Sequence, residues 1–142
     1  MGKTRLMRVV LDSNIFLSAL LSPHAPPHRI YQAWRRRRFE LITTNIQLDE
    51  LRRASRYPKF RGILQPHRVG HMLNNLHGAT IIDRLPGGYE AADPNDAWLL
   101  ALAEVGRADY LATGDKRSGL LARRRVGTAS ILTAAAFCGV FE

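Results

Sequence analysis

Residues 93–115, Asp-Pro-Asn-Asp-Ala-Trp-Leu-Leu-Ala-Leu-Ala-Glu-Val-Gly-Arg-Ala-Asp-Tyr-Leu-Ala-Thr-Gly-Asp, constrain the fold more than any other stretch of the chain. Asp93 has the chemistry of a helix N-cap, and Pro94 suits the first helical position, where a missing N–H costs nothing. Ala97 to Ala103 is almost unbroken apolar sequence, which predicts a helix buried on most sides. Gly106 is a stop. Asp109 to Thr113 then has the length and content of a short buried strand, and Gly114-Asp115 turns out of it. Helix, loop and strand in that order are half of a βαβ unit.

The same alternation runs through the rest of the chain. Leu6 to Leu11 predicts a central parallel strand, buried on both faces, that ends at Asp12. Ser13 or Asn14 can cap the helix that follows through Ile15, Phe16, Leu17 and Leu20. Pro26 and Pro27 open a second helix that ends in Arg35-Arg36-Arg37-Arg38, a run that suits a solvated face or a phosphate contact. Phe39 to Thr43 predicts the second strand. Thr44 and Gln47 have the spacing of a capping box, and Glu50 falls on the edge of the apolar stripe of the helix they start. A helix over about Gln65–Leu76 carries His67 and His71 four residues apart, a metal-ligand spacing without an obvious third ligand. Ala79 to Ile82 predicts a third strand, and a Pro/Gly loop from Leu85 to Ala92 leads to Asp93. After Asp115 come a helix through Leu120 and Leu121, a strand over about Val126–Leu132 and a small helix burying Phe137 and Cys138. Strands alternating with helices predict a three-layer α/β/α domain over residues 1–142, with a mostly parallel sheet and right-handed crossovers.

In such a sheet four acids gather at one edge. Asp12 ends the first strand, Glu50 lies in the helix after the second, Asp96 opens the helix reached from the third, and Asp115 follows the fourth. That C-terminal rim is where α/β folds bind ligands. Four carboxylates close together repel one another unless cations occupy the site. An all-oxygen donor set without cysteine suits a hard cation, Mg²⁺ or Mn²⁺.

Charge supplies the other half of the reading. The 142 residues carry a net charge of +9, with arginines and lysines outnumbering acids 21 to 12, a balance that favours a polyanionic partner, nucleic acid before membrane. Arg52, Arg53, Arg56, Lys59 and Arg61 form the densest basic patch, interleaved with Tyr57 and Phe60, which can stack on bases or simply anchor a loop. Arg52, Arg53, Arg56 and Lys116 are the basic residues expected to contact phosphates. No apolar run approaches a membrane span, and the start lacks the apolar core of a signal peptide. The one cysteine, Cys138, excludes an internal disulfide and points to a reducing compartment, the cytoplasm. A basic protein with an acidic, cation-binding rim matches a phosphodiester nuclease. The alternatives are a basic nucleic-acid-binding module whose acids are caps and surface charges, or a nuclease acting on DNA or structured nucleic acid.

Several pieces, in order, resemble a PIN-domain ribonuclease, and within that family the VapC-like toxin components of type II toxin–antitoxin systems. They are Val9-Val10-Leu11-Asp12-Ser13-Asn14, Leu48-Asp49-Glu50-Leu51, Ser55-Arg56-Tyr57-Pro58-Lys59-Phe60, Asp93-Pro94-Asn95-Asp96, residues 108–115 and Ile131-Leu132-Thr133. The resemblance implies a five-stranded parallel sheet flanked by helices and a Mg²⁺- or Mn²⁺-dependent endoribonuclease. Its acids fall on Asp12, Glu50, Asp96 and Asp115, with Asn14 and Thr113 as polar neighbours and Asp93 beside the third acid. It also implies an RNA substrate, an antitoxin protein as partner and a homodimer. A proline that often follows the position of Thr133 in relatives is Ala134 here, which touches a helix start and not the chemistry.

Overall fold

The computed structural model describes residues 5–91, 93–114 and 119–142. Strand β1 (Arg8–Leu11) leads into α1 (Ser13–Leu21) and α2 (Pro26–Arg35), then β2 (Glu40–Thr43) and α3 (Asn45–Ala54). A 3₁₀ turn at Pro58–Phe60 precedes α4 (Pro66–Leu76) and β3 (Thr80–Ile81). A second 3₁₀ turn, Pro94–Asp96, leads into α5 (Ala97–Val105) and β4 (Tyr110–Thr113). Then follow α6 (Leu120–Arg123), β5 (Arg125–Val126), β6 (Ala129–Thr133) and α7 (Ala134–Phe141).

The strands form one sheet in the order β3-β2-β1-β4-β6-β5, parallel throughout except for β5. β1 sits at its centre, pairing Val9 with Leu41 on one side and with Tyr110 on the other. Period-two alternation of side chains divides the core. Val9, Leu11, Leu41 and Ala112 pack with Phe16, Ile30, Leu48, Leu76 and Phe137 beneath α1, α2, α3, α4 and α7. Val10, Ile42, Leu111 and Ile131 face Leu99, Leu100, Leu102 and Leu120 of α5 and α6. Both faces are thus covered, as a parallel sheet requires, and the architecture is the expected three-layer α/β/α.

Four expectations need correction. The sheet has six strands, not five, because the last predicted strand is a hairpin: Val126 pairs with Ala129 across Gly127-Thr128, and β5 runs antiparallel to β6. Gly127 takes a φ of +55°, the left-handed backbone such a tight turn needs. The helix after β1 is capped by Asp12 itself, whose Oδ1 accepts from the Asn14 N–H at 3.3 Å, and not by Ser13 or Asn14. The capping box of Thr44 and Gln47 does not form. Thr44 occupies the N-cap position of α3 without a side-chain cap bond, and Gln47 turns into the core. Last, a 3₁₀ turn intervenes after Asp93, so α5 starts at Ala97 and Asp96, not Asp93, takes the N-cap position.

Gly106 does end α5, for a steric reason. A Cβ there would sit 2.9 Å from Ile42 Cγ2 and from the Leu102 carbonyl oxygen, so helix and sheet approach too closely for a side chain. Asp109 lies at the foot of β4, the edge opposite Asp12, where its Oδ2 accepts from the Arg8 N–H at 2.8 Å and its carboxylate meets Arg5.

Candidate active site

The C-terminal ends of β1, β2 and β4 open onto a cleft of about 450 Å³ lined by Asp12, Glu50, Asp93 and Asp96, with Asn14 and Arg53 beside them. Each acid arrives by a different local device. Asp12 is the first residue past the central strand and is buried; its Oδ2 accepts from the Thr113 hydroxyl at 2.9 Å, so β1 and β4, neighbours in the sheet, fix it jointly. Asp93 and Asp96 bracket the 3₁₀ turn before α5, and the Asp96 N–H donates to the Asp93 carbonyl at 2.9 Å.

Glu50 reaches the cleft from α3 through a relay of polar side chains. Its Oε2 accepts from the Ser13 hydroxyl at 3.2 Å. Gln47, fully buried one helical turn before Glu50, donates to the Leu11 carbonyl at 2.6 Å and to Ser13 Oγ at 3.4 Å, and accepts from the Thr43 hydroxyl at 2.6 Å. One amide thus ties the ends of β1 and β2 to the helix that carries the acid. Burial pushes the Glu50 carboxyl above its ordinary value, and the charges of Asp12 and Asp93 push it further; the Ser13 hydrogen bond and Arg53 oppose them. The carboxylates therefore sense one another across the cleft, and neutralising that crowding is what a cation does.

The donor set fits a hard divalent cation: the titratable side chains lining the cleft, apart from Arg53 and Tyr57, are carboxylates. Among the described residues no three His, Cys, Asp or Glu side chains are drawn together into a ready-made cage. Asp115 and Lys116, the fourth acid and one of the four expected phosphate contacts, lie outside the described residues.

Other residues named from the sequence are spread over the surface. Arg53 and Tyr57 line the cleft, whereas Arg52 and Arg56 border a separate hollow between α3 and α4, with Arg52 paired to Asp49 at 3.0 Å. Phe60 packs against the core instead of facing the cleft. Arg36 and Arg38 line another hollow with Arg29 and Glu142. His67 and His71 share a mostly apolar hollow with His28, and no metal cluster forms there among the described residues.

Sequence reading assigned Gln47 to a capping box and so missed its buried role; it also missed the hydrogen bond from Ser13 to Glu50 and the place of Trp98 in the cleft. Gln47 was detectable: Leu51 and Ala54 follow it at i+4 and i+7, which puts the amide on the buried stripe.

A profile of the PIN-domain family matches residues 8–117. The chain belongs to the PIN-domain family. The match takes in β1 through β4, and with them Asp12, Glu50, Asp93 and Asp96. PIN-domain membership implies nuclease activity, the hydrolysis of phosphodiester bonds in nucleic acid, and PIN-domain nucleases generally use divalent metal ions. No curated protein matches the chain. No helix among the described residues is long and apolar enough to cross a membrane.

Proposed function

We propose that this PIN-domain protein is an endoribonuclease dependent on Mg²⁺ or Mn²⁺, with Asp12, Glu50, Asp96 and Asp115 as its catalytic acids. One observation carries the reading: Asp12, Glu50 and Asp96, delivered by three separate elements, line a single cleft at the C-terminal rim of the sheet. Turn and cap chemistry can account for acids at helix starts, such as Asp12 and Asp96, but not for a Glu half-buried in mid-helix whose carboxyl is raised by burial and by the charges of Asp12 and Asp93.

In this reading Asp12, Asp96 and Asp115 hold the ion and Glu50 completes the set or orients the attacking water. The ion supplies a water of lowered pKa and positive charge for the leaving oxygen. The protein's own residues do the positioning. Thr113 and the Asn14 N–H fix the Asp12 carboxylate from two sides. Ser13 and Gln47 fix the approach of Glu50. Arg53 supplies positive charge within the cleft, where an incoming phosphate meets four acids.

The likeness to VapC-type toxins extends the proposal to biology. The protein would cut RNA in the cytoplasm, be held in check by an antitoxin protein and assemble as a homodimer. Incubating matched single-stranded RNA and DNA with the protein in Mg²⁺, Mn²⁺ or EDTA tests the chemistry. Internal cleavage of RNA only with the ion is expected. Attack by water, not by the 2′-hydroxyl, predicts products without a cyclic phosphate. Cleavage that survives EDTA, or of DNA alone, would overturn the assignment. Growth arrest on expression, absent with Asp12→Asn, tests the toxin role.

A further inference from the structure

Two aromatic side chains, Tyr57 and Trp98, stand in the acidic cleft; the core accounts for Trp98 only in part and for Tyr57 not at all. Tyr57 is 48% exposed although Phe60, three residues on, supplies the aromatic anchor for that segment. Trp98 is half-buried, packing partly against the apolar cluster of α5 while also lining the cleft. They arrive from different elements. Tyr57 follows the end of α3, one helical turn after Arg53, and Trp98 is the second residue of α5, two past Asp96. Each therefore sits next to a residue of the proposed chemistry, in a hollow of about 450 Å³, within the range of small-ligand sites.

We propose that Tyr57 and Trp98 form a nucleobase subsite, a stacking platform beside the reacting phosphate that accepts only an unpaired base. The inference rests on the nuclease reading and adds to it two specificity-determining residues, Tyr57 and Trp98. Base edges carry the sequence information and base faces do not, so aromatic rings that bind faces tolerate any base. A base inside a duplex already has both faces covered by its neighbours, and must leave the stack before a protein ring can cover one. Arg53, which lines the same cleft one helical turn before Tyr57, would hold the adjoining phosphate. Selection for single strands thus follows from the faces of two rings, with no groove-reading element required.

The test is affinity measured in EDTA, where no strand is cut. Fluorescence anisotropy of a labelled single-stranded RNA and of its duplex is compared for the parent, Tyr57→Leu, Trp98→Leu and Trp98→Phe. Each Leu variant should weaken single-strand binding about 5- to 150-fold, the usual range for losing one stacked base. Trp98→Phe should retain most of the affinity, duplex binding should not change, and the salt slope should stay the same, because no ionic contact is removed. Trp34 is buried at 8% exposure, so quenching of tryptophan emission by RNA should vanish in Trp98→Phe. Tyr57→Leu alters a largely exposed side chain and keeps the test valid if Trp98→Leu fails to fold. Unchanged single-strand affinity in Tyr57→Leu and Trp98→Phe emission still quenched, or equal losses for single strand and duplex, would overturn the platform. Cleavage with Mn²⁺, assayed separately, reports on the nuclease reading: a cutting enzyme whose aromatics are silent loses only the platform.

Discussion

Gln47→Leu should be the most damaging substitution of a residue that touches no substrate. Leu is close to Gln in volume, so the change leaves little cavity and isolates the polar loss. Two short bonds disappear, one from the Gln47 amide to the Leu11 carbonyl and one from the Thr43 hydroxyl to the Gln47 carbonyl oxygen, both 2.6 Å long. Thr43 and Gln47 are completely buried, so no solvent replaces the lost partner. A buried polar group stranded in this way costs about 1–3 kcal/mol, or about 2–6 kcal/mol for two. Against a typical domain stability of about 5–15 kcal/mol that is a large share. At roughly 3–4 °C per kcal/mol for a domain of this size, Tm should fall by roughly 6–24 °C. Urea melts give the free energy directly. Replacing both members of the Thr43–Gln47 bond removes the stranded hydroxyl, so adding Thr43→Val to Gln47→Leu should recover on the order of 1 kcal/mol. A Gln47→Leu protein within 1 kcal/mol of the parent, or a double variant whose losses simply add, would refute the reasoning.

Three further outcomes follow from the site. Burial raises the Glu50 carboxyl, so in metal-free protein the folded state holds its proton more tightly than the unfolded chain; that contribution is complete below the ordinary value of 4.5 and is lost as pH rises through the folded value. Metal-free Glu50→Gln should therefore be more stable than the parent at neutral pH and equal to it in acid, in urea melts across that range. Asp12→Asn should abolish cleavage in Mg²⁺ while keeping the fold, since an amide can still accept from the Asn14 N–H and meet the Thr113 hydroxyl; activity within a few-fold of the parent would remove Asp12 from the chemistry. Arg53→Ala should lower the salt dependence of RNA affinity by roughly 0.7 log units per log unit of salt, the share of one single-strand phosphate contact, whereas Arg52→Ala, in another hollow and paired to Asp49, should change it less.

Much of the fold could be read from residue order because each strand is a short apolar run with a breaker after it. Asp12 after Val9-Val10-Leu11 and Gly114 after Leu111-Ala112-Thr113 mark strand ends that the structure reproduces. What escaped depended on partners distant in sequence. Gln47 has the spacing of a capping residue; Leu51 and Ala54 put it on the buried stripe, but the bond to the Leu11 carbonyl, 36 positions earlier, that helps satisfy its amide there is not visible in the sequence. β5 has two residues, too few for any periodicity, and exists because β6 offers it an edge. The Asp93-Pro94 pair reads as a helix start, yet the chain completes a 3₁₀ turn first, bringing Asp96 into the cleft with Asp93. Trp98 looked like one more apolar residue of a buried helix, because sequence does not tell which end of α5 emerges at the rim.

The central claim, that the rim acids hold a divalent cation, is tested most directly by titrating Mn²⁺ calorimetrically into the parent, Asp12→Asn, Asp96→Asn and Asp93→Asn proteins without nucleic acid. The account predicts saturable binding by the parent, loss of it in Asp12→Asn and Asp96→Asn with folding intact, and affinity largely kept in Asp93→Asn. Equal binding by all four proteins, or none by the parent, would contradict it.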